Sequence, residues 1–279
     1  MKTVLITGAS SGFGKATAER LLDLEDWTIY ATARRVERMR DLAERGAKVR
    51  FLDVTDDKAV REVVDEVIEV EGRVDALVAN AAHGCYGMIE AVPIEAVRRQ
   101  FDVNVLGVGR CVRAVLPHMR ASRAGRIVIT ESLASHVSML GIGWYSATKH
   151  ALRGMHVALR QEVASFGIDV VAIEPGFAAT EFEEVAFRAL AEIEHPVEYR
   201  ELLDAFRAFM ADAYDRGADS DSTADAIVEA VTAKRTKPTY RTTLQARLAR
   251  PMAGTLPARV YDGLLRWLVW RAEKKHEGE

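Results

Sequence analysis

Thr3-Val4-Leu5-Ile6-Thr7-Gly8-Ala9-Ser10-Ser11-Gly12-Phe13-Gly14-Lys15 stands almost at the start of the chain. Residues 4–7 form a short apolar, β-branched run, the composition of a buried strand. Three glycines follow as Gly-x3-Gly-x-Gly, and helical spacing begins at Lys15. Glycines let a backbone turn sharply and approach a ligand closely. The N-terminus of the helix then offers free N–H groups to a pyrophosphate. The spacing differs from the commoner G-x-G-x-x-G fingerprint. A tight strand-to-helix turn without a ligand would use the same residues. Its place on the first strand of a strand–helix series favours nucleotide binding, by Gly8, Ser10, Ser11, Gly12, Phe13 and Gly14.

Outward from this turn, short apolar runs at residues 28–32, 49–52, 76–79, 126–130 and 169–173 alternate with helical stretches at 15–24, 36–45, 58–70, 94–121 and 145–166. Within 58–70, Val60, Val63, Val64 and Val67 fall on one helix face. Alternating strands and helices predict a doubly wound α/β fold of Rossmann type, a parallel sheet covered on both faces. Connections are short and no flexible linker is evident, so residues 1–279 are expected to form one domain. Residues 177–221 are helical, acidic and aromatic, as a substrate-binding segment would be. Residues 238–279 form a basic C-terminal extension.

Folds that bind NAD usually place an acid at the end of the second strand for the ribose 2′-hydroxyl. This strand ends Ala33-Arg34-Arg35. A carboxylate would repel a 2′-phosphate, whereas a guanidinium pairs with it bidentately. NADP(H) is therefore the expected cofactor, with NAD(H) possible. Arg34 is the first candidate and Arg35 the second; an ordinary solvated pair at a helix start is the alternative.

Tyr145 and Lys149 are four residues apart and share a helix face. A nearby ammonium is expected to lower the phenol pKa toward the working range of a general acid–base. A Tyr-x3-Lys pair alone is weak evidence. With it stand Ser132 just past a strand, Asn104 within a long helical segment, and Pro175-Gly176-Phe177-Ala178-Ala179-Thr180 after the last clear strand.

These features, with Asp53-Val54 and Asn80-Ala81, span residues 3–180. In order and spacing they resemble the short-chain dehydrogenase/reductase family, in its compact single-domain branch. The resemblance implies that Tyr145 exchanges a proton with the substrate oxygen, which Ser132 orients. It implies that Lys149 binds the nicotinamide ribose and lowers the Tyr145 pKa, and that Asn104 holds a relay water. Asp53 and Val54 would frame the adenine, Asn80 and Ala81 the ribose, and Pro175, Gly176, Phe177 and Thr180 the nicotinamide end. Simpler roles exist for Asp53 and Thr180 as caps and for Asn104 as a buried hydrogen-bonder. The chain departs from the family pattern in reading Ala79-Asn80-Ala81-Ala82, in carrying Glu131 before Ser132, and in having Ser11 where NADP-preferring members often have a base. Glu131 either points away from the site or places a charge near it.

Three segments are expected to wall a substrate site. They supply His83 and Tyr86; Met139 and Leu140; and Phe177 and Phe182, with Cys85, Val137, Ile142, Val185 and Phe187 beside them. Most are apolar, and no Arg or Lys lies between Ser132 and Tyr145. The expected substrate is a small apolar alcohol or carbonyl: a steroid, retinoid, aryl or fatty compound. His83 has no metal-ligand partners nearby, and no metal is expected.

The C-terminal stretch 256–266 resembles the hydroxysteroid and retinol dehydrogenase subset. Val260, Tyr261, Leu264, Leu265 and Leu268 make an apolar stripe beside Trp267 and Trp270, flanked by Arg259, Arg266, Arg271, Lys274 and Lys275. The stripe has three readings, in this order: packing within the subunit, an oligomer contact, or an interfacial membrane helix. The resemblance implies a homodimer or homotetramer. A formal net charge of -3 shows no basic stripe for nucleic acid. Two cysteines without metal-like spacing suit a reducing compartment. No signal peptide is seen, and no apolar run reaches the roughly 18 residues of a membrane span. The expected location is cytoplasmic. A non-catalytic NADP(H)-binding redox sensor is the alternative outside enzymology, and a nucleotide-sugar epimerase or dehydratase the alternative within it. The first typically loses the tyrosine or lysine; the second usually lacks Pro-Gly-x3-Thr.

Overall fold

The computed structural model describes residues 1–178, 180–217 and 220–276. Ala179, within the Pro175–Thr180 motif, lies outside the described residues, as do Ala218, Asp219 and residues 277–279; so do the side chains of Lys274 and Lys275. Seven parallel strands form one sheet: β1 (Lys2–Thr7), β2 (Trp27–Ala33), β3 (Lys48–Phe51), β4 (Ala76–Ala79), β5 (Gly125–Thr130), β6 (Ile168–Glu174) and β7 (Thr239–Arg241). Their order is β3-β2-β1-β4-β5-β6-β7. The connections reverse direction at β1, and such a switch point opens a crevice at the carboxyl ends of the strands. The six strands expected from sequence are present, and the doubly wound Rossmann-type fold is as expected. The three-residue β7 was not expected: Thr239-Tyr240-Arg241 is too short to show alternation, and only pairing with β6 makes it a strand.

Period-two alternation divides the core. Leu5, Leu77, Ile127, Ile129 and Val170 face one layer, while Val4, Ile6, Val78, Val128 and Val171 face the other. The first layer is covered by α3 (Asp57–Glu71), α5 (Gly107–Ser122) and α6 (Gly143–Val163), through residues such as Val64, Val112 and Leu152. The second is covered by α1 (Gly12–Leu22) and α9 (Ser220–Thr232), through Leu21 and Ile227. The predicted α3 face of Val60, Val63, Val64 and Val67 is buried in full. Two predicted helices differ in detail. Residues 36–45 are a 3-10 turn, Val36–Met39, followed by the short α2 (Arg40–Glu44). The long stretch 94–121 is α4 (Ile94–Phe101) and α5 joined by a π-turn, Asp102–Leu106. Such insertions are frequent at functional sites, and this one carries Asn104.

The acidic, aromatic segment folds as α7 (Glu181–Glu192) and α8 (Arg200–Asp215), which close an aromatic cluster over the carboxyl edge of β4 and β5. The C-terminal extension forms β7, α10 (Leu244–Thr255) and α11 (Ala258–His276), and α11 packs along α8. The apolar stripe expected on α11 is only partly inward. Tyr261 and Leu265 meet Leu133 and Val137, but Val260 and Trp267 are exposed, and Val269 is the fully buried residue. Among the described residues no helix is long and apolar enough to cross a membrane.

Candidate active site

One cavity of about 330 Å³ runs along the carboxyl ends of the strands, from the glycine turn to the aromatic cluster. At its first end, Gly8 has φ +71° and lies against Ala81, where a Cβ would come 2.8 Å from the Ala81 Cα. A Cβ on Gly14 would overlap the Gly8 carbonyl oxygen. Both positions therefore exclude any larger residue. Ser11 is extended before α1 and its side chain does not cap the helix. The first N–H groups of α1 remain for an anion, beside cavity-lining Gly12 and Phe13. This cradle fits the pyrophosphate of a dinucleotide.

The end of β2 places Arg34 and Arg35 on the same wall. Arg34 is exposed, and its charge reaches Asp53 and His83. Arg35 donates to Ser10 and Ser11 Oγ, each at 3.4 Å, and to Glu181 at 3.0 Å. Arg38, which the motif did not single out, donates to Glu181 at 2.6 Å. Glu181 in the first turn of α7 thus ties that helix to the glycine-turn end of the cavity. Asp53 accepts from the Thr55 N–H at 3.0 Å and hydroxyl at 2.8 Å. Burial raises its carboxyl, but the Thr55 hydrogen bonds and the Arg34 and Arg99 charges outweigh that and hold it below its ordinary value. Val54 is buried beside Gly107.

Asn80 acts as a clamp. Its Nδ2 donates to Thr7 O at 3.2 Å and Gly8 O at 3.3 Å, and its Oδ1 accepts from Thr130 Oγ1 at 3.3 Å. It joins the ends of β1, β4 and β5. Asn104 is likewise spent: Oδ1 accepts from the His83 N–H at 2.7 Å, and Nδ2 donates to His83 O and Thr148 Oγ1. It is 1 % exposed and its side chain ties the loop after β4 to α6.

Ser132, Tyr145 and Lys149 come together on the cavity wall. Ser132 stands close enough to the Tyr145 phenol to favour its ionised form, and its hydroxyl accepts from the Ala134 N–H at 3.1 Å. Lys149 Nζ lies 5.7 Å from the centre of the Tyr145 ring and donates to Thr130 O at 2.9 Å. The expected lowering of the Tyr145 pKa by Lys149 is not what the protein alone does. Burial pushes the phenol well above its ordinary value, the Tyr214 phenol adds to this, and only nearby Ser132 opposes it. Burial also pushes the Lys149 amine down to about 8, against the opposing pull of Glu131.

Pro175, Gly176, Phe177 and Thr180 line the cavity beside these groups. Pro175 O accepts from the Leu133 N–H at 2.7 Å, and Thr180 precedes α7 in extended conformation without a side-chain cap bond. Behind this loop Glu174 is 2 % exposed and held by His136 Nε2 at 2.9 Å and Arg241 Nε at 2.8 Å. Arg241 belongs to the unexpected β7.

At the far end, Phe182 packs 5.2 Å from the Tyr145 ring, and Tyr86 meets Tyr145 edge-on at 6.2 Å. His83 lines the wall; burial, then Arg99 and Arg34, push its pKa down. Met139 and Leu140 do not line the cavity: they pack behind it in the apolar cluster. Met210 and Tyr214 of α8 line it instead. Tyr214 shares a 2.8 Å hydrogen bond with the Tyr86 hydroxyl and stands edge-on to Phe177. The signal for them was available, since Leu203, Phe206, Met210 and Tyr214 repeat at helical spacing on one buried face.

The model of the short-chain dehydrogenase family matches residues 2–190. Over 265 residues the chain is 32% identical to a "Probable short-chain type dehydrogenase/reductase VdlC" of Helicobacter pylori, covering 95% of this chain and 97% of the other. It is 31% identical to retinol dehydrogenase 8 of Bos taurus over 95% of this chain and 91% of that one. A short-chain dehydrogenase structure from Streptomyces avermitilis superposes with a TM-score of 0.81 at 34% identity, over 99% and 98% of the two chains. A short-chain dehydrogenase/reductase from Burkholderia phymatum in complex with NAD gives 0.77 at 28% identity, over 90% and 92%. The alcohol dehydrogenase from Thermococcus sibiricus, complexed with 5-hydroxy-NADP, gives 0.69 at 26% identity, over 86% and 95%. The chain belongs to the short-chain dehydrogenase family and is an oxidoreductase.

Proposed function

We propose that the chain interconverts an alcohol and a carbonyl on an apolar substrate, with NADP(H) as cofactor and Tyr145 as general acid–base. The observation that carries this reading is the convergence of Ser132, Tyr145 and Lys149 on one wall, midway along a cavity polar at one end and aromatic at the other. Bound in the glycine cradle, a nicotinamide cofactor supplies or accepts the hydride. Burial keeps the Tyr145 phenol protonated, the form that donates to a substrate oxygen in carbonyl reduction. Ser132, on the same wall, orients the same oxygen. In the oxidative direction Tyr145 accepts the proton, with Lys149 as the cation on the same wall, its Nζ 5.7 Å from the ring centre.

Arg34 is the residue we assign to the 2′-phosphate, because it is exposed at the end of β2, whereas Arg35 is already engaged by Glu181. The aromatic end, with Phe177, Phe182, Tyr86 and Tyr214, suits an apolar carbonyl better than a charged one.

The test is a spectrophotometric screen of ketones and aldehydes with NADPH and NADH, run on the wild type and on Tyr145→Phe. The variant is expected to lose roughly 10²–10⁴-fold in kcat/KM while binding cofactor as before. Unchanged carbonyl reduction by Tyr145→Phe would remove the proton role. A wild type inert to a broad panel would favour the redox-sensing alternative.

A further inference from the structure

Two adjacent residues leave the end of β5 into opposite surroundings. Ser132 meets the Tyr145 phenol; Glu131 is 1 % exposed, and its N–H donates to Ile173 O at 2.8 Å. The Glu131 carboxylate is in direct contact with Nδ1 of His156, itself 3 % exposed. Among the described residues neither of its oxygens, nor His156 Nδ1, has a hydrogen-bond partner. A carboxylate taken this far from water is costly unless a cation or a donor compensates it.

The compensation is on α6. With about 3.6 residues per turn, positions 145, 149 and 156 share one helix face. His156 therefore continues into the interior the column that begins with Tyr145 and Lys149. Lys149 Nζ donates to the carbonyl of Thr130, the residue before Glu131. The Glu131 charge thus acts on the Lys149 amine, while His156 Nδ1 stands against the carboxylate from the far side of the column.

We propose that Glu131, held by His156, is a positioning residue for Lys149: its buried carboxylate is the counter-charge that keeps the ammonium charged beside Tyr145 and so sets the alkaline limit of the reaction. Burial pushes the Lys149 amine down to about 8, and the Glu131 charge acts against that fall. The surrounding titratable groups do not substitute for it. Tyr86 and Tyr214 are phenols held neutral by burial. The His83 imidazole is pushed toward its neutral form. Glu174, on the neighbouring strand, is engaged by His136 and Arg241.

The inference rests on Tyr145 and Lys149 being the reacting pair. Its test is the pH profile of kcat/KM for the wild type, Glu131→Gln and Glu131→Asp, with Tyr145→Phe measured alongside. Activity that needs a charged Lys149 is present below the amine pKa and lost as pH rises through it. Glu131→Gln removes the counter-charge and keeps the shape, so the alkaline limb is expected to move down by about one pH unit. Glu131→Asp keeps the charge and is expected to restore the wild-type profile. In the cofactor-free protein, the Lys149 side-chain NMR resonance is expected to titrate lower in Glu131→Gln by the same amount. If Glu131→Gln fails to fold, the double variant Glu131→Leu/His156→Phe replaces it: it removes the charge together with its buried partner, and the same downward shift is expected. Profiles and titrations that superimpose on the wild type, with Tyr145→Phe inactive, overturn the role of Glu131 and leave the reading of the site intact. An active Tyr145→Phe overturns that reading first.

Discussion

The two ends of the cavity are built by different means. The nucleotide end is backbone: strand ends brought together at the switch point, glycines where a Cβ would collide, and Asn80 clamping three strands. The aromatic end, the proposed substrate end, is side chain: rings from the loop after β4, α6, α7 and α8, packed mainly edge to face. Glu181 links them, since it belongs to α7 yet pairs with Arg35 and Arg38. An end made of backbone tolerates few residues at each position and leaves a motif. An end made of packed rings tolerates many combinations of similar volume, so it leaves only composition.

If the ends are separable in this way, substitutions should affect cofactor and substrate separately, except where the ends meet. Lys149 sits at the junction, and Lys149→Met should have the largest effect, on the order of a hundredfold or more in kcat/KM for every substrate. A selective loss for one substrate class would place Lys149 in the substrate end instead. Next comes Arg34→Ala. Loss of a charge-assisted contact should weaken NADPH binding roughly 10–100-fold and leave NADH nearly unchanged, as fluorescence titration would read. Equal losses for both cofactors would withdraw the assignment of Arg34 to the phosphate.

Phe182→Ala should act on the other end. Removing a ring 5.2 Å from Tyr145 should raise KM about tenfold for an apolar ketone while the cofactor Kd stays put. The smallest effect is expected from Tyr214→Phe, which deletes the 2.8 Å bond to the Tyr86 hydroxyl. That should cost about 1 kcal/mol of stability, measured by denaturant unfolding. A loss several times larger would mean that the phenol pair organises the whole aromatic end.

The contrast also explains which readings of the sequence held. Gly8 and Gly14 sit where backbones nearly touch, so the tight turn was readable from them; Asn80 was read only by resemblance, toward the ribose, and its clamp on β1 and β5 is visible only in the fold. The strands announced themselves by β-branched runs. Strand β7 did not, because its three residues depend on β6 for their conformation. Met139 and Leu140 were expected on the substrate wall from their place between Ser132 and Tyr145. Position along a loop does not fix which way a side chain points, and packing turned them into the cluster behind the wall. Tyr214, sixty-nine residues beyond Tyr145 in sequence, reaches the cavity only because α8 folds back over it.

The chain's order of strand, glycine turn and helix was enough to determine the doubly wound fold, because alternation and the avoidance of Cβ clashes are local requirements. The same holds for the presence of Ser132, Tyr145 and Lys149 in one neighbourhood, which strand ends and helix periodicity enforce. The protonation of those residues was decided only by the tertiary structure. Spacing suggested that Lys149 would lower the Tyr145 pKa; burial instead raises it and lowers that of Lys149. The place of Glu131 was also beyond the sequence, since its contact is with His156, twenty-five residues away on another element. Charges respond to the distance from water and from one another, and those distances exist only once the sheet and α6 have packed together.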